Sequence, residues 1–416
     1  MIDLTNKTVL FYDLSAGYTH MAEAVVGEFK SVRYYSIWDE AFPSVRKYIP
    51  GTGLEGIERV FDFFDALEDA DLVVFPDVGQ AGLQEWLRRQ GVAVFGSGSA
   101  SQLERDRWFL KSVCRKYDID AAEAIPVTGI DNLRNILGEM NDVHVKLSTF
   151  RGDNETFHHE DQIDTTRRLN ELALRMEPYN DRAEFVVEQP ISGRPCVEVG
   201  VDLCANVEGL FARANLWGYE IKDRAYAGRV GELPNRLSAT LDKLVPILET
   251  FSYRGAFTTE SRETKDGSYL LDLTCRFPNP PSALQRFMVA NWAEILWEAA
   301  NGRIVEPEWI APVGVQIILK SEYGSENPLR VSVDRFDRTV LYGHCAFDGS
   351  DYAVSGSEIA ECGAACGIGT TLSQAIEEAC EVAEGIKGRE VIWDAGALEE
   401  LTEAIQTGTD LGIKWE

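Results

Sequence analysis

The densest candidate chemistry in this 416-residue chain lies between Glu260 and Arg276. Two runs, 255–261 and 269–275, read as strands, and the Asp266-Gly267 pair between them is a strong hairpin signal. Glu260 sits on the first strand, and Asp272, Thr274 and Arg276 sit at alternating positions of the second. Alternation places those last three side chains on one face of a sheet. Two acids and a hydroxyl that converge there can hold Mg²⁺, which takes oxygen ligands and shares them with phosphates. An arginine two positions further on can clamp a phosphoryl group or the charge that develops on an acyl phosphate. The same pattern also suits an exposed polar face with an ordinary acid–arginine pair.

Lys146 interrupts an apolar run at 143–147 and is soon followed by Arg151-Gly152-Asp153-Asn154. A lysine beside such a loop can hold an ATP phosphate while the loop closes over it, although a snorkelling surface lysine has the same pattern. The strand-like run 185–188 breaks at Gln189-Pro190-Ile191, where backbone groups can read an adenine edge, as other strand ends also can. Gly96-Ser97-Gly98 is a weak phosphate-loop signal and supports nothing further.

The elements that must position these residues begin with repeated strand–loop–helix units. Apolar runs at 8–13, 71–75 and 91–95 alternate with helical patterns from Met21 and over 84–89, which predicts a parallel sheet with covering helices. Ligands of such sheets sit at the carboxyl ends of the strands, so residues 15–20, 76–79 and 96–99 are expected along one rim. A basic helix is expected over 103–117, further helices over 165–176, 237–251 and 373–386, and strands over 143–147, 185–188 and 196–203. Beyond Pro312 the pattern turns strand-rich, which predicts a closing third domain.

Length alone calls for two or three domains around a cleft. Formal net charge is −28, from 40 Lys plus Arg against 68 Asp plus Glu, and this argues against nucleic acid as a tightly held electrostatic partner. There is no apolar run long enough for a membrane span and no basic-then-apolar leader at the start, so a cytoplasmic location is expected. The eight cysteines include no CxxC pair and there are five histidines, which disfavours structural zinc, and Cys362 and Cys366 in their Gly/Ala-rich segment read as buried free thiols.

Taken in order, these pieces resemble the ATP-grasp superfamily, and within it the glycinamide ribonucleotide synthetases (phosphoribosylamine–glycine ligases), over nearly the whole chain. The first strand with Ser15-Ala16-Gly17-Tyr18-Thr19-His20 is similar to that family's strand and GSGGREHA loop. Residues 71–102 are similar to its LVVVGPE and GIPVFGPS stretch, and 103–119 to its LExSKxFxKxF helix. His144-Val145-Lys146 parallels VIK, 186–193 parallels VxEExLxG, and 266–277 (DGSYLLDLTCRF) parallels DGPxVLExNxRF. The resemblance implies an α/β ATP-grasp fold with a Rossmann-like pre-ATP-grasp domain over 1–102. An ATP-grasp core would follow over 103–312 with a mobile lid near 119–186, and a small α+β domain over 313–416. It implies an ADP-forming carbon–nitrogen ligase that uses ATP with Mg²⁺, or Mn²⁺ in its place. Its partners would be a small carboxylate, such as an amino acid, and an amine acceptor, and the chain would be a monomer or homodimer.

By the same resemblance Lys146 and Arg107 would bind ATP phosphates, Arg107 replacing a family lysine, and Gly152 would belong to the closing loop. Glu188, Gln189 and Ile191 would form the adenine hinge, and Glu198 would stand in for a ribose-contacting acid. Glu260, Asp272 and Thr274 would hold the metal, the last two replacing Glu and Asn. Arg276 would be catalytic, and His20 and Asn279 would meet substrate. The departures gather on the acceptor side: Tyr18-Thr19 stand where the family has Arg-Glu, and Pro278-Asn279-Pro280-Pro281 where it has Gly-Asp-Pro-Glu. Three readings stay open: a ligase with an altered acceptor, a genuine phosphoribosylamine–glycine ligase, and a nucleotide-binding protein without catalysis.

Overall fold

The computed structural model describes residues 2–38, 49–148, 156–205, 209, 211–342, 345–355 and 360–415. Its first unit is a parallel sheet of β1 (Thr8–Tyr12), β2 (Ser31–Tyr35), β3 (Ile57–Val60), β4 (Leu72–Val74) and β5 (Ala93–Phe95), in the order β3-β2-β1-β4-β5. β1 and β4 are the apolar runs that the sequence marks, and they are almost wholly buried. β2 and β3 escape sequence reading because they bury only part of each strand, so SVRYY and IERV lack a continuous apolar run. The strand order reverses between β1 and β4, which sets the crevice of the sheet at their carboxyl ends. There Asp13 is fully buried and accepts hydrogen bonds from the Tyr18 N–H (2.7 Å), Tyr34 hydroxyl (2.7 Å) and Ser15 hydroxyl (3.1 Å). These bonds fix the loop after β1, although burial raises the Asp13 carboxyl pKa to about 6.

The helix expected over 103–117 is instead two helices, Gln102–Arg105 and Arg107–Lys116. Asp106 between them is extended (φ −121°, ψ 96°), and its carboxylate accepts from the Phe109 N–H at 2.9 Å as an N-cap, worth about 1 kcal/mol. The break makes Arg107 the first residue of the second helix, where its N–H donates to the Ser148 carbonyl at 3.1 Å.

A second unit is antiparallel: β6 (Ala124–Thr128), β7 (Val143–Leu147), β8 (Thr156–His159) and β9 (Glu184–Glu188), in the order β6-β9-β7-β8. Helices Ile130–Leu137 and Gln162–Met176 cover it, and Leu133, Val145, Phe157 and Phe185 are among its core residues.

The largest sheet has eight strands, in the order β14-β13-β10-β11-β12-β15-β20-β17. They are β10 (Cys196–Ala205), β11 (Asn215–Ile221), β12 (Ala225–Gly231), β13 (Gly255–Thr264), β14 (Ser268–Thr274), β15 (Val313–Lys320), β17 (Thr339–Leu341) and β20 (Glu361–Gly369). The remaining strands, β16 (Leu329–Val333), β18 (Ala346–Phe347), β19 (Tyr352–Val354) and β21 (Ile386–Gly388), form a small antiparallel sheet. The segment after residue 312 thus adds strands to the large sheet as well as forming its own. Helices Asn235–Thr250 and Gly396–Asp410 contribute Leu237, Leu244 and Leu401 to a core with Val199, Val201, Trp217, Leu270 and Leu273. Period-2 alternation therefore turns Glu198, Gly200 and Asp202 of β10, and Asp272 and Thr274 of β14, to the opposite face. No helix among the described residues is long and apolar enough to cross a membrane.

Candidate nucleotide and substrate site

Glu260 of β13 and Asp272 of β14 are direct cross-strand partners, so their carboxylates share one face of the hairpin. The register shifts between Glu260 and Ser261, which pairs with Leu270, so Leu271 is the extra residue of a β-bulge. Simple alternation would send Leu271 away from the cleft. The bulge instead lets Leu271 and Asp272, adjacent in sequence, both line it.

This cleft, about 360 Å³, lies between the antiparallel β6–β9 sheet and the large sheet. Lys146 (8% exposed) reaches across from β7, with Nζ 3.2 Å from Asp272 Oδ2 and 3.3 Å from Glu188 Oε2. Arg107 Nη1 approaches Asp272 Oδ1 at 3.9 Å. Lys111, which sequence reading did not single out, is buried with Nζ 3.0 Å from Glu188 Oε1. That approach is an ion pair at an angle too poor for a hydrogen bond, and the oxygen has no hydrogen-bond donor. Burial alone would raise the Asp272 carboxyl, but Lys146, Arg107 and Lys111 together hold it below its ordinary value. Burial likewise works against the Lys146 ammonium, and Asp272 and Glu188 outweigh it to raise its pKa. Glu260 behaves oppositely: burial first, then the charges of Asp272 and Glu198, push its pKa up to about 7.

Among the described residues no group of three or more histidine, cysteine, aspartate or glutamate side chains is arranged to hold a metal unaided. The oxygen-only pair Glu260 and Asp272 nevertheless fits Mg²⁺, which is typically held by one or two carboxylates plus phosphate oxygens. Two opposed carboxylates, one driven toward neutrality by burial and then by the other, also form a place where a dication relieves repulsion.

The cleft brings together Lys146, Glu188, Gln189, Ile191, Glu198, Glu260 and Asp272. The Gln189 N–H is already bonded to the Glu123 carbonyl at 2.8 Å. Glu198 pairs with Arg262, a partner that sequence reading missed. A second cavity of about 210 Å³ adjoins the first and shares Glu198, Glu220 and Glu260 with it. Thr274, Arg276 and Asn279 line this second cavity. Arg276 is anchored from behind: Nε donates to Glu104 Oε1 at 3.0 Å, Nη1 donates to the Tyr18 hydroxyl at 2.9 Å, and Asp77 lies at 3.5 Å. Glu104 also accepts from the Cys275 N–H at 2.8 Å.

His20 lines neither of the two cavities. It is 1% exposed, its Nε2 lies 3.0 Å from Ser282 Oγ, and its ring packs near Tyr18 and Tyr342. The reason is local: the short helix Thr19–Glu23 buries Thr19, His20, Met21 and Ala22 together, so Tyr18 becomes the loop residue that reaches Arg276. Burial lowers the His20 pKa to about 3, which keeps the ring neutral. Gly152 lies outside the described residues.

No protein-family model matches the chain. No curated protein sequence matches it either. Solved structures do. The phosphoribosylamine–glycine ligase of Thermotoga maritima superposes with a TM-score of 0.71 at 15% identity, covering 93% of this chain and 98% of that one. The biotin carboxylase domain of the 2-oxoglutarate carboxylase of Hydrogenobacter thermophilus, solved with MgADP and bicarbonate, gives 0.69 at 11% identity and covers 99% of both chains. An N5-carboxyaminoimidazole ribonucleotide synthetase in complex with ADP gives 0.62 at 14% identity, covering 91% of this chain and 97% of that one. The fold is therefore the α/β ATP-grasp fold over almost the whole chain, as the sequence motifs led us to expect.

Proposed function

We propose that the chain is an ATP-dependent carboxylate–amine ligase that forms ADP and an amide, with an acceptor site different from that of glycinamide ribonucleotide synthesis. One observation carries this: two carboxylates paired across a hairpin face a lysine and an arginine delivered from other elements, at the floor of a cleft between two sheets. In this reading the three parts are 1–102, 103–312 with its lid near 119–186, and 313–416, and the chain works in the cytoplasm as a monomer or homodimer. Lys146 and Arg107 release Asp272 to take nucleotide phosphates. Glu188, the Gln189 carbonyl and Ile191 border the adenine, and Glu198 borders the ribose. Glu260 and Asp272, with the Thr274 hydroxyl, would hold Mg²⁺ (or Mn²⁺), whose chemistry is to offset phosphate charge and orient the transferred group.

A substrate carboxylate oxygen attacks the γ-phosphorus, the bond to ADP breaks, and an acyl phosphate forms. The neutral amine of the acceptor then attacks the acyl carbon, phosphate leaves, and the amine's proton goes to solvent. Arg276, already oriented by Glu104 and Tyr18, needs no reorganisation to stabilise the oxygens that gain charge. A closed cleft protects the acyl phosphate from water.

The test is incubation with Mg·ATP, an amino-acid panel and hydroxylamine. ADP together with hydroxamate supports the ligase, and bound nucleotide without either product reduces the chain to a nucleotide-binding protein. Glycinamide ribonucleotide formed from glycine and phosphoribosylamine at an ordinary rate, about 1–1000 per second, would overturn the altered acceptor.

A further inference from the structure

The second cavity has a chemistry that nothing above accounts for. Asp202 of β10, 2% exposed, forms part of its wall. Its Oδ2 accepts from the Tyr226 hydroxyl and its Oδ1 from the Thr258 hydroxyl, both at 2.9 Å. Both donors are neutral, and among the described residues no cationic side chain forms an ion pair with Asp202. A buried carboxylate without a cation is costly to maintain, and here burial pushes its pKa up to about 7. Glu220 of β11, the cross-strand partner of Tyr226, lines the same cavity and sits among Glu260, Asp223 and Glu361. Arg276, the one guanidinium of the wall among the described residues, is already matched by Glu104 and Asp77. Glu198 is matched by Arg262. Asp202 and Glu220 are therefore acids without a matched cation among the described residues, and an ammonium placed between them would favour their ionised forms.

Space is kept open for an occupant. Gly200 lies two residues before Asp202, and a Cβ built there would meet nothing closer than the Thr259 carbonyl oxygen at 3.8 Å. The volume of about 210 Å³, roughly seven waters at ~30 Å³ each, has room for a small aliphatic amine.

We infer that this cavity takes a substrate carrying an ammonium group that the reaction does not consume, paired with Asp202 and flanked by Glu220, so that the acceptor is a small diamine or a comparably basic amine. The inference rests on the ligase reading, because the cavity shares Glu198, Glu220 and Glu260 with the nucleotide cleft. A phosphorylated acceptor would meet like charge here and bind poorly.

The test compares 1,4-diaminobutane with butylamine, which differ by one ammonium. Calorimetry is run on the full chain with Mg·ADP present. The wild type should bind the diamine at least about thirtyfold more tightly, the scale of one buried charge pair. Asp202→Asn should remove most of that preference, and Gly200→Val, which fills the cavity from a strand position suited to a branched residue, should weaken both amines. Mg·ADP affinity of each variant reports folding and the nucleotide cleft separately. Failure of the wild type to bind Mg·ADP would remove the ligase reading itself. Normal Mg·ADP binding with equal affinity for the two amines would overturn the inference alone, as would a diamine preference that survives in Asp202→Asn. If Asp202→Asn does not fold, Glu220→Gln reads the same preference from the flanking position, and an undiminished preference there would also overturn it.

Discussion

Replacing Lys146 by methionine keeps the apolar stem of the side chain and removes only the ammonium. At an effective dielectric of about 20, each attraction at 3.2–3.3 Å is worth roughly 5 kcal/mol gross. Most of that is cancelled by desolvation, and Asp272 is partly exposed, so the net is far smaller. A charge-assisted hydrogen bond to phosphate typically contributes about 1.5–3 kcal/mol. The variant also leaves Asp272 and Glu188 facing the phosphates without their shared counter-charge. We therefore expect a loss of about 2–3 kcal/mol, or roughly 30–150-fold in Mg·ADP affinity, measured by calorimetry. The loss should shrink only modestly as salt rises, because the lysine is buried. A second readout is acid stability. Asp272 is held below its ordinary 3.8, so its contribution is present above that pH and lost as pH falls through the depressed folded value. Without Lys146 this loss should begin at higher pH. Mg·ADP affinity within about threefold of wild type would show Lys146 to be a structural bridge between the two sheets and would sink the phosphate role.

Asp272→Ala leaves Glu260 as the one carboxylate of the proposed metal pair, so turnover measured as ADP formation should fall at least about a hundredfold, near 2.7 kcal/mol of transition-state stabilisation, and unchanged ADP formation would remove Asp272 from that pair. Arg107→Lys keeps the charge but loses the planar fork; activity should fall if bidentate geometry serves the phosphates, and persistence of full activity would show that charge alone is needed. Asp202, whose folded pKa of about 7 lies above its ordinary 3.8, contributes most to stability below the ordinary value and loses that contribution as pH rises through about 7. The amine-free wild type should therefore lose on the order of 4 kcal/mol at most between pH ~4 and ~8 from this group, and Asp202→Asn should flatten that decline; identical pH–melting profiles would contradict the buried, cation-free carboxylate.

The residues that gather in the first cleft were legible because their signals are local. An Asp-Gly turn fixes a hairpin, and the spacing of Glu260, Asp272, Thr274 and Arg276 follows from it. Lys146 and Glu188 announce themselves as charges inside apolar runs, which are rarely tolerated without partners. The losses have equally physical causes. The bulge at Leu271 depends on pairing with β13 and leaves no trace in composition. Asp106 read as one more polar residue of a basic helix, yet its extended backbone and capping carboxylate end one helix and begin the next. His20 reads as a polar loop residue in the sequence, yet the helix Thr19–Glu23 buries it against Ser282.

Asp202 and Glu220 were missed for a different reason. On β10 and β11 they occupy the polar phase of an alternating strand, where an acid ordinarily signals a solvated face. Only the docking of β10 between β11 and β13, with Tyr226 arriving from β12, encloses Asp202. The contrast bears on what the protein selects. The residues expected around the nucleotide lie close in sequence to recognisable turns. The groups that set the charge of the second cavity come from three separate strands, β10, β11 and β13, with Arg276 just beyond β14, and no single turn gathers them. Arg276 spends its charge on Glu104 and Asp77 behind the wall, while Asp202 and Glu220 have no cationic partner among the described residues. In that balance an incoming ammonium stabilises the cavity and an incoming phosphate destabilises it, which is why we look for acceptor specificity in charge rather than in shape.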